Sequence, residues 1–471
     1  MNHTTDTDTA GRREWIGLAV LALPALLVTM DLSVLFLAVP ALTRDLAPSS
    51  TELLWITDIY GFLIAGSLIT MGTLGDRIGR RRLLMIGGFA FAVASALAAF
   101  STSPAMLIAT RAVLGVAGAT LAPSSLSLIR SLFPDERRRT VAIGIWMSCF
   151  AAGAAVGPLV GGALLEQFWW GSVFLLNVPV MALMLALAPR VLPESSDPSP
   201  GRFDVPGAAL SVVALLALVY GVKRVAEGGL DWWALLSAVA GVLAGALFVR
   251  RQRRTEDPLI DLGLFRLPAI RVSITSMVLA TFVMAGILLF VTQYLQLVRG
   301  MGPLEAGLWS VPAMIGSIAG SMLAPAVAAR RRKEVVLGGS MGVAAAGLGL
   351  LALVSDGSAL AVLVAGSLVM GLGAGAIGTV ATDLIVGTAP PERAGAASGI
   401  SETGAELGGA LGIALLGSIG TAVYGEDAFV EGLQLAALTG AALMAVAAAV
   451  AALVLLRFMT LAAGSSPAGS R

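Results

Sequence analysis

Charge is scarce in this chain: Asp, Glu, Lys and Arg make up 13% of its 471 residues, where a soluble domain carries about 25%. The hydrophobic share is 57% and the mean hydropathy is +0.90. So little polar surface cannot cover a soluble fold of this length, and the molecular surface is therefore expected to face lipid. There is one histidine, His3, and one cysteine, Cys149. That excludes an internal disulfide, a His/Cys metal cluster and a histidine proton relay, and Cys149 reads as a small core residue. A net charge of +1 gives neither a nucleic-acid footprint nor an acidic tail. No Walker loop is present to draw on ATP. No serine elbow or metal-ligand set suggests an enzyme, and no appended soluble domain suggests a sensor. No metal or cofactor is expected.

What the chain does have is long apolar runs. A helix needs about 20 apolar residues to cross the hydrocarbon. Charges and Gly/Pro clusters divide the sequence into fourteen such runs, at 15–41, 54–74, 83–101, 104–130, 141–165, 169–192, 206–224, 232–250, 270–298, 304–329, 335–354, 359–386, 395–423 and 430–457. The first is too long for a cleavable signal peptide and is expected to span. Numbered with the N-terminus inside, the spans place nearly all of the 30 Lys and Arg residues on the cytoplasmic side. Only Arg44, Lys223, Arg224 and Arg299 fall opposite, and Arg111 lies within a span. The positive-inside rule then puts both termini in the cytoplasm. The Pro/Ser-rich stretch 193–205 reads as a linker between halves, and the basic triplets of 72–88 and 320–339 form a weak internal echo.

Charges inside the spans are the candidate functional groups, because each costs about 2.5–3.5 kcal/mol at the centre of a membrane helix. Asp31 lies in the first span between Pro24 and Pro40. Asp58 follows Trp55 in the second and is either functional or interfacial. Arg111 has either a structural acidic partner or a share in proton coupling. Glu402 and Glu406, spaced i, i+4, share a helix face. They repel when both are ionised, which suits proton exchange, unless both are hydrated at the cytoplasmic end near Arg393. Asp383 reads as interfacial. Gly153, Gly157 and Gly161 share one face of the fifth span, where small residues admit a neighbouring backbone, and Pro158 is expected to bend the helix. Trp55, Tyr60, Trp146, Phe150, Tyr294 and Trp309 are aromatics that either hold a lipophilic cation or serve packing and interface anchoring. The 17 methionines offer adaptable walls.

The loop Gly72-Thr-Leu-Gly75-Asp76-Arg77-Ile-Gly79-Arg80-Arg81-Arg82 closely resembles the signature loop between the second and third helices of the major facilitator superfamily. GAAVGPLVGG (153–162, ending in Gly161 and Gly162) resembles its antiporter motif, and Arg111 in LIATRAVLGVAGA its span-four arginine motif. MDLSVLFLAVP (30–40) and residues 383–408 resemble the fourteen-span drug:proton antiporters, nearest to exporters of the QacA, LfrA and SmvA type. The resemblance implies an all-α fold of two six-helix bundles with two inserted helices. The expected parts are a cytoplasmic tail (1–13), an N-terminal bundle (14–192), a linker with the inserted pair (193–268), a C-terminal bundle (269–458) and a second tail (459–471). It further implies proton-driven export of lipophilic cations such as quaternary ammonium compounds, dyes and biocides from a cell membrane by a monomer. Export of a neutral antibiotic, lipid or metabolite is the alternative. Asp31, Asp58, Glu402 and Glu406 would exchange protons for cations. Gly72, Gly75, Asp76, Arg77, Gly79, Arg80 and Arg81 would form a gating latch, beyond the positive-inside role their charges already fill. The expected partners are small hydrophobic or cationic substrates, protons and the lipid bilayer, with no nucleic acid.

Overall fold

The computed structural model describes residues 11–195, 204–228, 231–260, 262–355, 360–423 and 429–464, and the described residues contain helices and no strand. In chain order the helices are α1 (Arg12–Leu46), α2 (Ser50–Ile78), α3 (Arg80–Ala99), α4 (Pro104–Leu132) and α5 (Glu136–Gln167). They continue with α6 (Ser172–Leu175), α7 (Asn177–Val191), α8 (Val205–Gly228), α9 (Trp232–Gln252) and α10 (Pro268–Gln293). The last are α11 (Pro303–Ala328), α12 (Lys333–Leu351), α13 (Leu360–Thr388), α14 (Ala394–Val423) and α15 (Phe429–Gly464). α6 and α7 together make one apolar segment, Ser172–Val191. The final helix runs past the expected boundary at 457 to Gly464, and residues 1–10 of the expected N-terminal tail lie outside the described residues.

The helix starts are local events that the sequence specifies. Ser49 accepts from the Glu52 N–H while Glu52 reaches back to the Ser49 N–H, a reciprocal capping box for α2. Ser103 caps α4 with Pro104 as its first residue, and Asp135 and Asp231 accept from N–H groups at the starts of α5 and α9. Between them the chain is apolar all round, as expected when one face meets protein and the other lipid.

Among the described residues, 12 helices are long and apolar enough to cross a membrane. α8, whose apolar stretch is Val205–Gly221, and α14, with its two glutamates, do not meet that measure. The structure thus supports twelve candidate spans against the fourteen apolar runs read in the sequence. Large apolar side chains point outward in helical stripes, such as Ile86, Phe89, Val93 and Leu97 on α3 and Leu236, Val239, Leu243 and Leu247 on α9. An exposed apolar girdle of this extent marks a lipid-facing surface.

Inside, the helices gather around two hydrophobic cores. One joins α1–α7, from Leu18 to Leu192, and the other joins α10–α15, from Met277 to Met444. α8 and α9 pair with each other, and α8 lies along the seam between the cores. Gly66 of α2 faces Leu216 of α8, and Ile69 of α2, Leu215 of α8 and Ile400 of α14 share a third apolar cluster with Leu259 and Ile260. Burial pushes the Asp204 carboxyl up, but bonds from the Gly207 N–H, Arg251 and Gln252 more than offset it and hold the group below its ordinary range. That charge ties the start of α8 to the end of α9.

α11 and α13 pack backbone to backbone. A Cβ on Gly320 would sit 2.0 Å from the Leu372 carbonyl oxygen, and one on Gly375 would sit 2.0 Å from that of Ser317. Small residues do this work in membranes, where helix association relies on close packing. Gly320→Leu is therefore expected to lower the melting temperature of the detergent-solubilised protein by several degrees and to broaden its size-exclusion peak. Gly349→Leu, at a glycine with nothing within 4 Å, should leave both unchanged. Equal effects in the two variants would refute the packing assignment.

Candidate functional site

Between the two cores lies a cavity of about 590 Å³, within the range of small-molecule sites. Its wall comes from α1, α2, α5, α8, α10, α11, α13 and α14, and is mostly apolar, with Met147, Met277, Met284, Phe62 and Phe150 prominent. Asp58, Glu402 and Glu406 all line it. Three carboxylates thus share a largely apolar space, where an ionised acid gains strongly from a proton or a cation. Ser401, beside Glu402, donates at 3.1 Å to the sulfur of Met277, a residue of the cavity wall.

Asp31 is elsewhere. It is 6% exposed and is not among the cavity residues. Its Oδ2 accepts from Arg111 Nη1 at 2.7 Å and its Oδ1 from Asn177 Nδ2 at 2.9 Å. Arg111, 0% exposed, also donates to the Ile56 carbonyl and lies 4.6 Å from the Tyr60 ring centroid. The sequence grouped Asp31 with the exchanging carboxylates, but the structure seals it in an ion pair within the first core. The same pairing answers which acid Arg111 meets. Asn177, which also donates to Ser95, carried no signal in the sequence, since a lone asparagine reads as ordinary polar filling.

The aromatics separate in the same way. Of the six singled out, Phe150 lines the main cavity, while Trp146 is buried against it in a T-shaped pair at 4.7 Å. Tyr60 sits under Arg111, Tyr294 donates to the Ser355 carbonyl, and Trp309 packs on the second core. Trp55 is half-exposed and stacks on Tyr220 of α8.

At the arginine-rich end the two halves are fastened together. α14 begins with backbone N–H groups that no helical carbonyl satisfies, and Asp76 of α2 accepts two of them, from Gly395 and Ala396, each at 2.9 Å. Its negative charge also suits the positive helix end. Arg80 donates to Asp76 at 3.0 Å and to the Pro391 carbonyl. Gly72 permits this approach, because a Cβ there would lie 2.2 Å from the Gly395 carbonyl oxygen. Gly79, at φ +104°, makes the single-residue turn into α3, and Gly75 packs on Leu83. Arg81 holds Glu194 and the Leu192 carbonyl. Arg77 is half-buried.

A second fastening was missed in the sequence. Asp383, read there as interfacial, is fully buried. It accepts from Arg139 Nε at 2.8 Å and Thr140 Oγ1 at 2.6 Å on α5, and from Lys333 at the start of α12. Arg130, ending α4, donates to the Val386 and Ala389 carbonyls at the end of α13. The contacts from α4 and α5 join residues about 250 positions apart, so spacing gave no sign of them.

In α5 the glycine face meets α1. A Cβ on Gly153 would lie 2.3 Å from the Leu26 carbonyl oxygen, one on Gly157 2.0 Å from Ser33 Oγ, and one on Gly161 2.6 Å from Val34. Gly162 has open space, and the side chain of Pro158 lies outside the described residues.

The family model described as Major Facilitator Superfamily matches residues 21–413 and 274–470. The chain is 45% identical over 451 residues to the multidrug efflux pump LfrA of Mycolicibacterium smegmatis, covering 95% of this chain and 90% of that protein. It is 38% identical over 407 residues to the methyl viologen resistance protein SmvA of Salmonella typhimurium, covering 86% and 82%. The tetracenomycin C resistance and export protein of Streptomyces glaucescens is 35% identical over 426 residues, covering 90% and 79%. In architecture it is similar to the human organic anion transporter MFSD10 (TETRAN), with a TM-score of 0.69 at 18% identity over 93% of this chain and 99% of that one.

Two outcomes follow from the geometry. Losing one partner of a buried ion pair costs about 3–5 kcal/mol, so Asp383→Ala should loosen the arginine-rich end. Spin labels at Arg82→Cys and Arg331→Cys, in a Cys149→Ala background, should show a longer distance becoming the major population, and an unchanged distance distribution would count against the fastening. Asp31→Asn should lower the melting temperature more than Asp31→Asn/Arg111→Met does, since the double variant leaves no buried charge alone. Equal losses would mean that the pair is not coupled.

Proposed function

The chain belongs to the major facilitator superfamily and is a multidrug efflux transporter, not an enzyme, and we propose that it works as a proton-coupled antiporter of lipophilic cations in the cell membrane. The observation that carries this reading is the cluster of Asp58, Glu402 and Glu406 in one apolar cavity between the two halves. Each acid there can be neutralised by a proton or by an organic cation, and occupancy by one disfavours the other. Release of a proton when substrate binds is then a direct consequence of competition, without a dedicated relay. Methionines and Phe62 and Phe150 supply polarizable and aromatic walls for a cation that carries no hydrogen-bond donors.

In this reading α8 and α14 also cross the bilayer, making fourteen spans, with 14–192 and 269–458 as the two bundles and 193–268 holding the inserted pair. The arginine-rich end faces the cytoplasm together with both termini, so the fastened state is closed to the inside. Asp76, Arg80 and Gly72 then serve as the latch of alternating access, joined by Asp383 and Arg130, while Asp31 and Arg111 stabilise the first bundle. A monomer is sufficient, the proton motive force takes the place of a cofactor, and no nucleic acid is involved. The relatives named for multidrug efflux and methyl viologen resistance support a cationic, QacA-type substrate range. The relative named for tetracenomycin C export favours the alternative, a neutral antibiotic.

Purified protein in weakly buffered detergent should release protons on addition of a lipophilic cation such as tetraphenylphosphonium. Glu402→Gln should abolish the release and Asp58→Asn should reduce it, and both should weaken binding of the cation at least tenfold. Undiminished release from either variant would remove that carboxylate from the exchange. Neutralisation that spares affinity for a neutral compound while uncoupling its transport would favour the alternative substrate class.

A further inference from the structure

Beside the main cavity is a second, of about 20 Å³, lined by residues of α1, α2, α4, α5 and α14. Trp146 and Ser125 line it, as do Glu402 and Glu406. Trp146 is 0% exposed and Ser125 1%. Trp146 Nε1 and Ser125 Oγ are buried polar atoms without a hydrogen-bond partner. Leaving one such group unsatisfied costs about 1–3 kcal/mol, so two at one cavity call for an occupant.

Size and chemistry select it. A water molecule needs roughly 10–15 Å³ of such volume and two to four polar partners, so 20 Å³ admits one water and no fragment of a drug. The indole N–H and the serine hydroxyl are donors, and the two carboxylates are acceptors, which together match the two lone pairs and two hydrogens of water. We propose that this cavity binds a single water molecule that accepts hydrogen bonds from Trp146 and Ser125 and donates to Glu402. Trp146 and Ser125 are then positioning residues for the exchanging glutamate.

Glu402 lines both cavities, so its carboxylate stands between the water on one side and the substrate space on the other. Donation from the water supports the ionised carboxylate that a cation will meet. The donors belong to α4 and α5, and the acceptor to α14. The bridge therefore crosses from one half of the molecule to the other and lasts only while those helices stay together. The readiness of Glu402 to give up its proton becomes dependent on conformation. The inference rests on the proton-exchange reading of Glu402 above.

The test is infrared difference spectroscopy of the purified full chain, recorded on acidification in ordinary water and in water labelled with oxygen-18. Trp146→Phe keeps an aromatic ring against Phe150 and removes the N–H, and Ser125→Val fills the space with methyl groups. Wild type should show a label-sensitive O–H band, together with a carboxyl stretch that disappears in Glu402→Gln. Both positioning variants should lose the water band, displace the carboxyl stretch and slow substrate-induced proton release by about tenfold. A water band and release rate kept in both variants, while Glu402→Gln has lost release, would overturn the water bridge and leave the exchange reading intact. Release that persists in Glu402→Gln would instead remove the exchange reading. The labelled band alone then decides for the water if both variants lose it and against the water if they keep it.

Discussion

Everything in this molecule is arranged around the cost of leaving a polar group alone in an apolar medium. Backbone groups within a helix satisfy one another, which is why the described residues are helical throughout their apolar length. Side-chain charges have no such internal solution. The structure gives them three kinds of place: sealed pairs within one core, as for Asp31 and Arg111, fastenings between the cores, as for Asp76 and Asp383, and a shared cavity for Asp58, Glu402 and Glu406. The first place builds a bundle, the second joins two, and the third sets acids on the wall of a space that a small molecule can enter.

This division explains what could be read in the sequence. Apolar length and the caps at Ser49, Ser103, Asp135 and Asp231 are local properties, so helix positions agree closely with the apolar runs. The glycines of 72–79 and 153–161 were legible because each marks a close approach, and the structure supplies the neighbour in each case. Depth in the membrane was the guide to the acids, and depth says nothing of their partners. Asp31 looks central but is neutralised by a partner eighty positions away. Asp383 looks peripheral but is fully enclosed by groups from α5 and α12. Whether an acid is free to exchange depends on what lies across from it, and that is a long-range property of the fold.

The aromatics teach the same lesson from the apolar side. Trp146 and Phe150 are four residues apart on α5, yet one is fully buried and the other faces the cavity. Tyr60 is committed to Arg111. α8 was expected only as an inserted segment, but Val219 brings it into the cavity wall. The main cavity is therefore bounded by three parts of the fold, the two helix bundles and α8.

The turn between α13 and α14 is held from both sides: Arg130 takes the carbonyls that end one helix, and Asp76 takes the amides that begin the next. Separating the halves strips both helix ends of their partners at once, and only incoming water can replace them. If this end opens as the proposed latch requires, the opening is a wetting transition that takes up water. Excluded solutes, which lower the activity of water, would hold it shut without touching either charge.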